Sequence, residues 1–208
     1  LRLADSQLLR ARSLQQGKLL PQVFRAGDPV RRDEEAFVAR VEVLAALAEQ
    51  IELAQGSPGI VLHGRRRVGK SSVLTNLDGF VKESVICVYL SLQDPRISTS
   101  LTHFIHGVIA RVSDTMERNS IAPISGRPET LGEWTDALSR ADRILSAAGK
   151  RVLLCLDEYE QIDRRLAEGA FHTDLLPAIR DSIQFHRQIV WIFAGSHDNA
   201  VLALAQGT

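Results

Sequence analysis

Ile60-Val61-Leu62-His63-Gly64-Arg65-Arg66-Arg67-Val68-Gly69-Lys70-Ser71-Ser72-Val73-Leu74 is the stretch whose reading decides the fold. It opens on a short apolar run, which predicts a buried strand. Gly64–Ser71 then fits G-x-x-x-x-G-K-[ST]. Such a loop turns backbone N–H groups inward around an anion, and glycine at Gly64 and Gly69 permits the tight path. Lys70 supplies charge to the β- and γ-phosphates of a nucleoside triphosphate, and the Ser71 hydroxyl is a suitable ligand for Mg²⁺. A helix from Lys70 to about Phe80 adds its positive end. Gly64, Arg67, Val68, Gly69, Lys70, Ser71 and Ser72 are therefore the candidate nucleotide-binding residues of the loop. Arg65, Arg66 and Arg67 occupy its variable positions, either as a solvated tip or as contacts to a neighbouring domain or the γ-phosphate.

Outward from the loop, three more apolar runs read as buried strands: Val85–Leu90, Val152–Leu156 and Ile189–Ala194. Between them lie helical patterns. Phe37, Val41, Leu44, Leu47 and Ile51 recur at helical spacing before the break at Gly56-Ser57-Pro58-Gly59. Ser98, Thr99 and Ser100 can cap a helix faced by Leu101, Phe104, Ile105, Val108 and Val112. Thr130 and Glu133 make a capping box for the next, which Gly149 ends. A further helix spans about 174–187. Continuous apolar strands alternating with amphipathic helices predict an α/β domain, a parallel sheet covered by helices on both faces. Ligands in such sheets gather at the carboxyl ends of strands.

Two other strand ends carry chemistry. Val152–Leu156 runs into Asp157-Glu158, which places Asp157 to hold Mg²⁺ beside Ser71 and Glu158 to polarise an attacking water. After the last strand, Ser196 is a candidate to bond that water or the γ-phosphate, with His197 beside it. Glu158, Lys70 and Ser196 are thus the candidate catalytic residues, and Ser71 and Asp157 the candidate metal ligands.

Composition narrows the partners. Lys+Arg and Asp+Glu are 25 each over 208 residues, so the formal net charge is zero and no global basic field indicates nucleic acid or a membrane surface. Cys87 and Cys155 sit inside apolar runs and read as buried thiols in a reducing, cytoplasmic setting. No apolar run approaches a membrane span. The chain begins at Leu1 and stops after a helical pattern, which reads as a piece of a longer protein.

The combination GRRRVGKSS, LLCLDEYE and WIFAGSHD, in that order, resembles the signal-transduction ATPases with numerous domains (the STAND class), relatives of the AAA+ ATPases. The archaeal and bacterial members with GxRRxGKS loops look most alike. Phe24-Arg25-Ala26-Gly27-Asp28-Pro29-Val30 is similar to that family's lead-in, and Phe37-Val38-Ala39-Arg40-Val41-Glu42 to its F-V-G-R-x-x-E box, with Ala39 where the family has glycine. The resemblance implies a P-loop NTPase of the ASCE/AAA+ type. It implies a lead-in segment over 1–34 and an ATPase core over 35–208, cut before the last strand and with the lid domain absent. It also implies an extra strand between the phosphate-loop strand and the acidic strand, a role for which Val85–Leu90 is available. Val38 and Arg40 become candidate adenine contacts. The cofactors implied are ATP or ADP with Mg²⁺, and the partners are lid and effector domains of the same chain, with self-association on activation.

The leading functional expectation is a regulatory ATPase switch of a larger signalling or defence-type protein, slow in isolation. Two alternatives stay open: a nucleotide-binding scaffold with negligible hydrolysis, and a nucleic-acid-associated AAA+ ATPase. A kinase is disfavoured by the carboxylate directly after Asp157 and by the lack of an arginine-rich lid segment.

Overall fold

In the computed structural model the described residues are 29–34, 37, 40–53 and 59–196. Four strands form one parallel sheet: β1 (Gly59–His63), β2 (Val85–Ser91), β3 (Arg151–Asp157) and β4 (Ile189–Gly195), in the order β1-β4-β3-β2. The helices are α1 (Val41–Leu53), α2 (Lys70–Asn76), α3 (Pro95–Ser98), α4 (Leu101–Arg118), α5 (Leu131–Ala147), α6 (Glu160–Ala167) and α7 (Leu175–Phe185).

Strand periodicity divides the core in two. Val152, Leu154 and Leu156 of β3 and Ile189, Trp191 and Phe193 of β4 face one side, under α4, α5 and α7. The alternate residues, Leu153 and Cys155 with Val190, Ile192 and Ala194, face α1 and α2. The sheet is thus covered on both faces, which is why β3 and β4 are apolar at nearly every position rather than alternating. The aromatic heart is Trp134, Phe104, Phe171, Trp191 and Phe193, with Trp191 and Phe193 stacked at 5.8 Å. Both thiols are free; Cys155 is fully buried, and burial with the nearby Asp78 charge pushes Cys87 up to about 12.

The strand order corrects one expectation. The strand between the phosphate-loop strand and the acidic strand is Ile189–Gly195, and Val85–Ser91 lies at the outer edge of the described sheet. Burial gives the physical reason. Every residue of β4 is buried, as suits an interior strand covered on both faces, whereas β2 alternates between buried and half-buried. The polar-tolerant run, with Cys87, Tyr89 and Ser91, belongs at an edge.

Local chemistry explains several helix boundaries. Ser100 accepts from the His103 amide at the start of α4, and Thr130 and Glu133 form the expected capping box on α5. Gly149 ends the α5 region at φ +63°, where a side chain would be strained. Helix α2 is shorter than the apolar pattern predicts, because Leu77–Gly79 tightens into a 3-10 turn. Val41 is 61% exposed as the first residue of α1, so it lies off the buried stripe of Leu44, Leu47 and Ile51. Helix α6, directly after the acidic pair, is a short helix of eight largely polar residues that the sequence reading did not single out.

Candidate functional site

The phosphate loop, the acidic pair and Ser196 all sit at the carboxyl ends of their strands. The loop follows β1, the acidic pair ends β3 and Ser196 follows β4. The Gly64 amide donates to the Gly195 carbonyl at 3.3 Å, which ties the start of the loop to the end of the neighbouring strand. The loop's far side needs unusual backbone. Arg67 and Gly69 have φ of +63° and +93°, and Gly69 occupies the cap position of α2. For an L-residue that region costs roughly 1–2 kcal/mol, which glycine avoids.

Lys70 is turned into the loop. Its Nζ donates to the Gly64 carbonyl at 2.7 Å and the Arg65 carbonyl at 3.0 Å, so the cation sits against the backbone that surrounds the cradle. Arg65, Arg66 and Arg67 are exposed at the tip. Val68 packs against Gly64, where a Cβ would lie 3.4 Å from its Cγ2. Arg40, just before α1, lies over the other end: a Cβ on Gly69 would come within 3.8 Å of its Nε. Val38 and His197 fall outside the described residues, as do residues 24–28 of the lead-in.

Ser72 is tied to the segment before α1. Its hydroxyl accepts from the Val30 amide at 3.0 Å. One turn on, buried Asn76 donates to the Val30 carbonyl (2.8 Å) and the Ser72 carbonyl (2.6 Å), and its Oδ1 accepts from the Arg32 amide (2.6 Å). These bonds fasten residues 30–32 to the helix that carries Lys70 and Ser71. Sequence reading did not single out Asn76.

Asp157 is buried at 2% exposure, and both of its oxygens are engaged. Oδ1 accepts from the Glu158 amide at 3.0 Å and Oδ2 from the Tyr89 hydroxyl at 2.8 Å. The Ser71 and Ser91 hydroxyls lie beside the same phenol, which burial first, and then the Asp157 charge, hold in its protonated form. Ser71, Tyr89 and Asp157 therefore form one polar cluster across α2, β2 and β3.

Glu158 has φ +58°, a left-handed backbone rare outside glycine and asparagine. Such a residue at a strand end is a reason to look for function. Its carboxyl is raised above the usual range by burial, then by Glu160, whose carboxylate it meets in a hydrogen bond, and by Asp157, with Arg66 pulling the other way. Burial pushes Glu160 up as well, but hydrogen bonds from its own amide, from Ser196 and from Glu158 outweigh that and hold it low. The two neighbouring carboxyls are thus shifted in opposite directions, Glu158 up and Glu160 down. Ser196 is anchored here rather than left free: its hydroxyl donates to Glu160 at 2.8 Å. Gly195 must be glycine, since a Cβ would collide with the Glu160 carboxylate and approach the Tyr159 ring within 2.6 Å.

The donor set suits a hard cation held together with phosphates. Hydroxyl and carboxylate oxygens favour Mg²⁺. Among the described residues, no group of three or more His, Cys, Asp or Glu is placed to hold a metal ion. A cation between Ser71 and Asp157 would take most of its shell from phosphate oxygens and water, the usual arrangement for Mg²⁺ at nucleotides.

No protein-family model matches the chain, and no curated protein does. Solved structures do. The Walker-type ATPase PABY2304 of Pyrococcus abyssi superposes with a TM-score of 0.61 at 18% identity, covering 88% of this chain and 51% of that one. The Aeropyrum pernix ORC2 protein, in ADPNP–ADP complexes, gives 0.55 at 17% identity, covering 84% and 46%. Its ADP form gives 0.55 at 15% identity, covering 84% and 47%. The chain shares the fold of these structures and spans about half of their length. Among the described residues, no helix is long and apolar enough to cross a membrane.

Proposed function

We propose that this chain is the nucleotide-binding core of a regulatory ATPase switch of the STAND class, acting on Mg²⁺-ATP in the cytoplasm. The observation that carries the reading is convergence. Lys70 of the phosphate loop, the Ser71–Tyr89–Asp157 cluster and the strained Glu158 meet at the carboxyl ends of the strands, from three elements far apart in sequence. A structural protein has no need for that concentration of charge, buried acid and backbone strain.

In this reading the loop amides and Lys70 bind the phosphates, Ser71 and Asp157 hold Mg²⁺, and the deprotonated Glu158 accepts a proton from the attacking water. The metal supplies charge neutralisation on the phosphate oxygens. Ser196 acts on Glu158 through Glu160 rather than on the γ-phosphate. Arg40 and Val38 flank the base. Lid and effector domains, and self-association, complete the switch.

Hydrolysis by this chain alone is slow. Glu158→Gln tests the assignment, because it keeps size and reach but cannot accept the proton. ATP binding survives and turnover falls by roughly 10²- to 10⁴-fold. Asp157→Asn differs, weakening Mg²⁺-dependent binding as well. Wild-type turnover in Glu158→Gln would remove the catalytic role. A scaffold with negligible hydrolysis is the second reading, favoured by the hydrogen bond that engages Glu158 with Glu160.

A further inference from the structure

The edge strand β2 contributes to the metal end of the site through a residue that motif reading passes over. Tyr89 pairs in register with Cys155, two positions before Asp157, so its side chain shares the sheet face of both. The phenol reaches one step further along that face and donates to Asp157 Oδ2 at 2.8 Å. Ser71, in the first turn of α2, neighbours the same phenol.

Proton bookkeeping fixes the direction of this chain of bonds. A carboxylate only accepts, so the phenol proton is committed to Asp157. The phenol oxygen then has only lone pairs left, so toward the neighbouring Ser71 hydroxyl it can act only as acceptor, with the serine as donor. A serine ligates a cation through a lone pair, so its own proton must point elsewhere. Tyr89 provides that acceptor, and it does so while fixing the orientation of the second metal-side oxygen.

We propose that Tyr89 is a positioning residue of the Mg²⁺ site: it accepts the Ser71 proton and pins the Asp157 carboxylate, so that both oxygens are presented to the cation that arrives with the nucleotide. This rests on the Mg²⁺-nucleotide reading above. Tyr89 does not touch the nucleotide. It therefore contributes to metal-dependent affinity and not to the grip of the loop on phosphate.

The test is the affinity of a non-hydrolysable ATP analogue, measured by calorimetry in excess Mg²⁺ and again in EDTA, for the wild type, Tyr89→Phe, Ser71→Ala and the double variant. Tyr89→Phe removes one oxygen from a half-exposed side chain, and a thermal melt checks that the fold is kept. Affinity in EDTA is unchanged in Tyr89→Phe, while the gain on adding Mg²⁺ shrinks about tenfold, the scale of one hydrogen bond to a charged group. The double variant loses less than the sum of the two single variants, because the part of the Tyr89 contribution that runs through Ser71 is already gone, while the part that pins Asp157 remains to be lost. A wild-type Mg²⁺ gain in Tyr89→Phe overturns the proposal. So does an equal loss with and without Mg²⁺, which marks a purely structural role, and so does additivity in the double variant. A wild type that binds no nucleotide under either condition overturns the nucleotide reading and this inference with it. Binding that persists in EDTA while Tyr89→Phe stays silent overturns the inference alone.

Discussion

Replacing Asn76 is expected to unfasten the segment before α1 from the phosphate-loop helix. The side chain is 2% exposed and makes three backbone hydrogen bonds of 2.6–2.8 Å, to Val30, Arg32 and Ser72. In Asn76→Ala all three go, each with a net contribution of about 1 kcal/mol. Water can reach the freed groups at Val30 and Arg32, where residue 30 is half-buried and residue 32 exposed, so part of that loss is recovered. The expected cost is about 2 kcal/mol, which for a chain of this size is a fall of roughly 4–8 °C in Tm. Asn76→Asp sharpens the test. It keeps Oδ1 for the Arg32 amide but sets a second oxygen against the Val30 and Ser72 carbonyls. At neutral pH that variant is expected to be less stable than the alanine, though nearer to the wild type in shape. Thermal and urea melts of the three proteins, read by circular dichroism, give the order wild type, alanine, aspartate. An alanine variant within about 0.5 kcal/mol of wild type, the usual range for surface substitutions, would show that the clamp contributes nothing. An aspartate variant more stable than the alanine would refute the donor assignment.

Lys70→Ala is expected to abolish tight nucleotide binding in a well-folded protein, because the lost charge cannot be replaced by backbone donors; calorimetry showing unchanged ATP affinity would remove the phosphate-loop assignment. Glu158 is raised by burial, Glu160 and Asp157, and a base must be deprotonated to act. The acid limb of the pH–rate profile is therefore expected above the ordinary glutamate value of about 4.3, and Glu160→Gln is expected to move it down by removing the neighbouring charge. An acid limb that Glu160→Gln leaves in place would contradict the coupling. His186 is held low by burial, with Ser182 on Nδ1 (2.8 Å), Ser139 on Nε2 (3.1 Å), and the Trp191 indole donating to Ser182 (2.9 Å). Its folded pKa lies below the unfolded value near 6.5, so between the two the unfolded chain binds more protons and stability rises with pH. The contribution is present above about 6.5 and is lost as pH falls. Urea midpoints from pH 7.5 down to 5.5 should drop further for wild type than for His186→Gln, and parallel curves would sink the assignment.

The sequence disclosed those parts of the site that local chemistry fixes. A glycine at φ +93° beside a lysine and a serine is a short-range requirement, and so are an apolar strand ending in two acids and a capping box. Helix α6 escaped because its eight residues are largely polar and bury little beyond Ile162. The misplaced Val85–Leu90 strand is a different kind of miss. Strand order is a long-range property, yet the runs themselves held a clue: Ile189–Ala194 has no polar residue, and Val85–Ser91 ends on tyrosine, leucine and serine. An interior strand covered on both faces carries few half-exposed positions, and of these two runs the cleaner is the interior one.

The same reasoning explains why Tyr89 and Glu160 were passed over while Asp157 and Glu158 were found. An acidic pair after an apolar strand is conspicuous because burial should forbid it. Tyrosine in a strand, or a third acid two residues further on, is ordinary in any window. Each acquires meaning only once the parallel register sets Tyr89 beside Cys155, and once Ser196 arrives at Glu160 from the end of β4. The groups that act directly are written in consecutive residues. Those that orient them are written in the pairing of strands, and period-two alternation says which side chains to compare only after that pairing is known. With β2 against β3, the polar residues on the α2 face of β2 near the acidic end reduce to Tyr89 and Ser91. Both hydroxyls belong to the cluster, and only the longer side chain reaches the carboxylate.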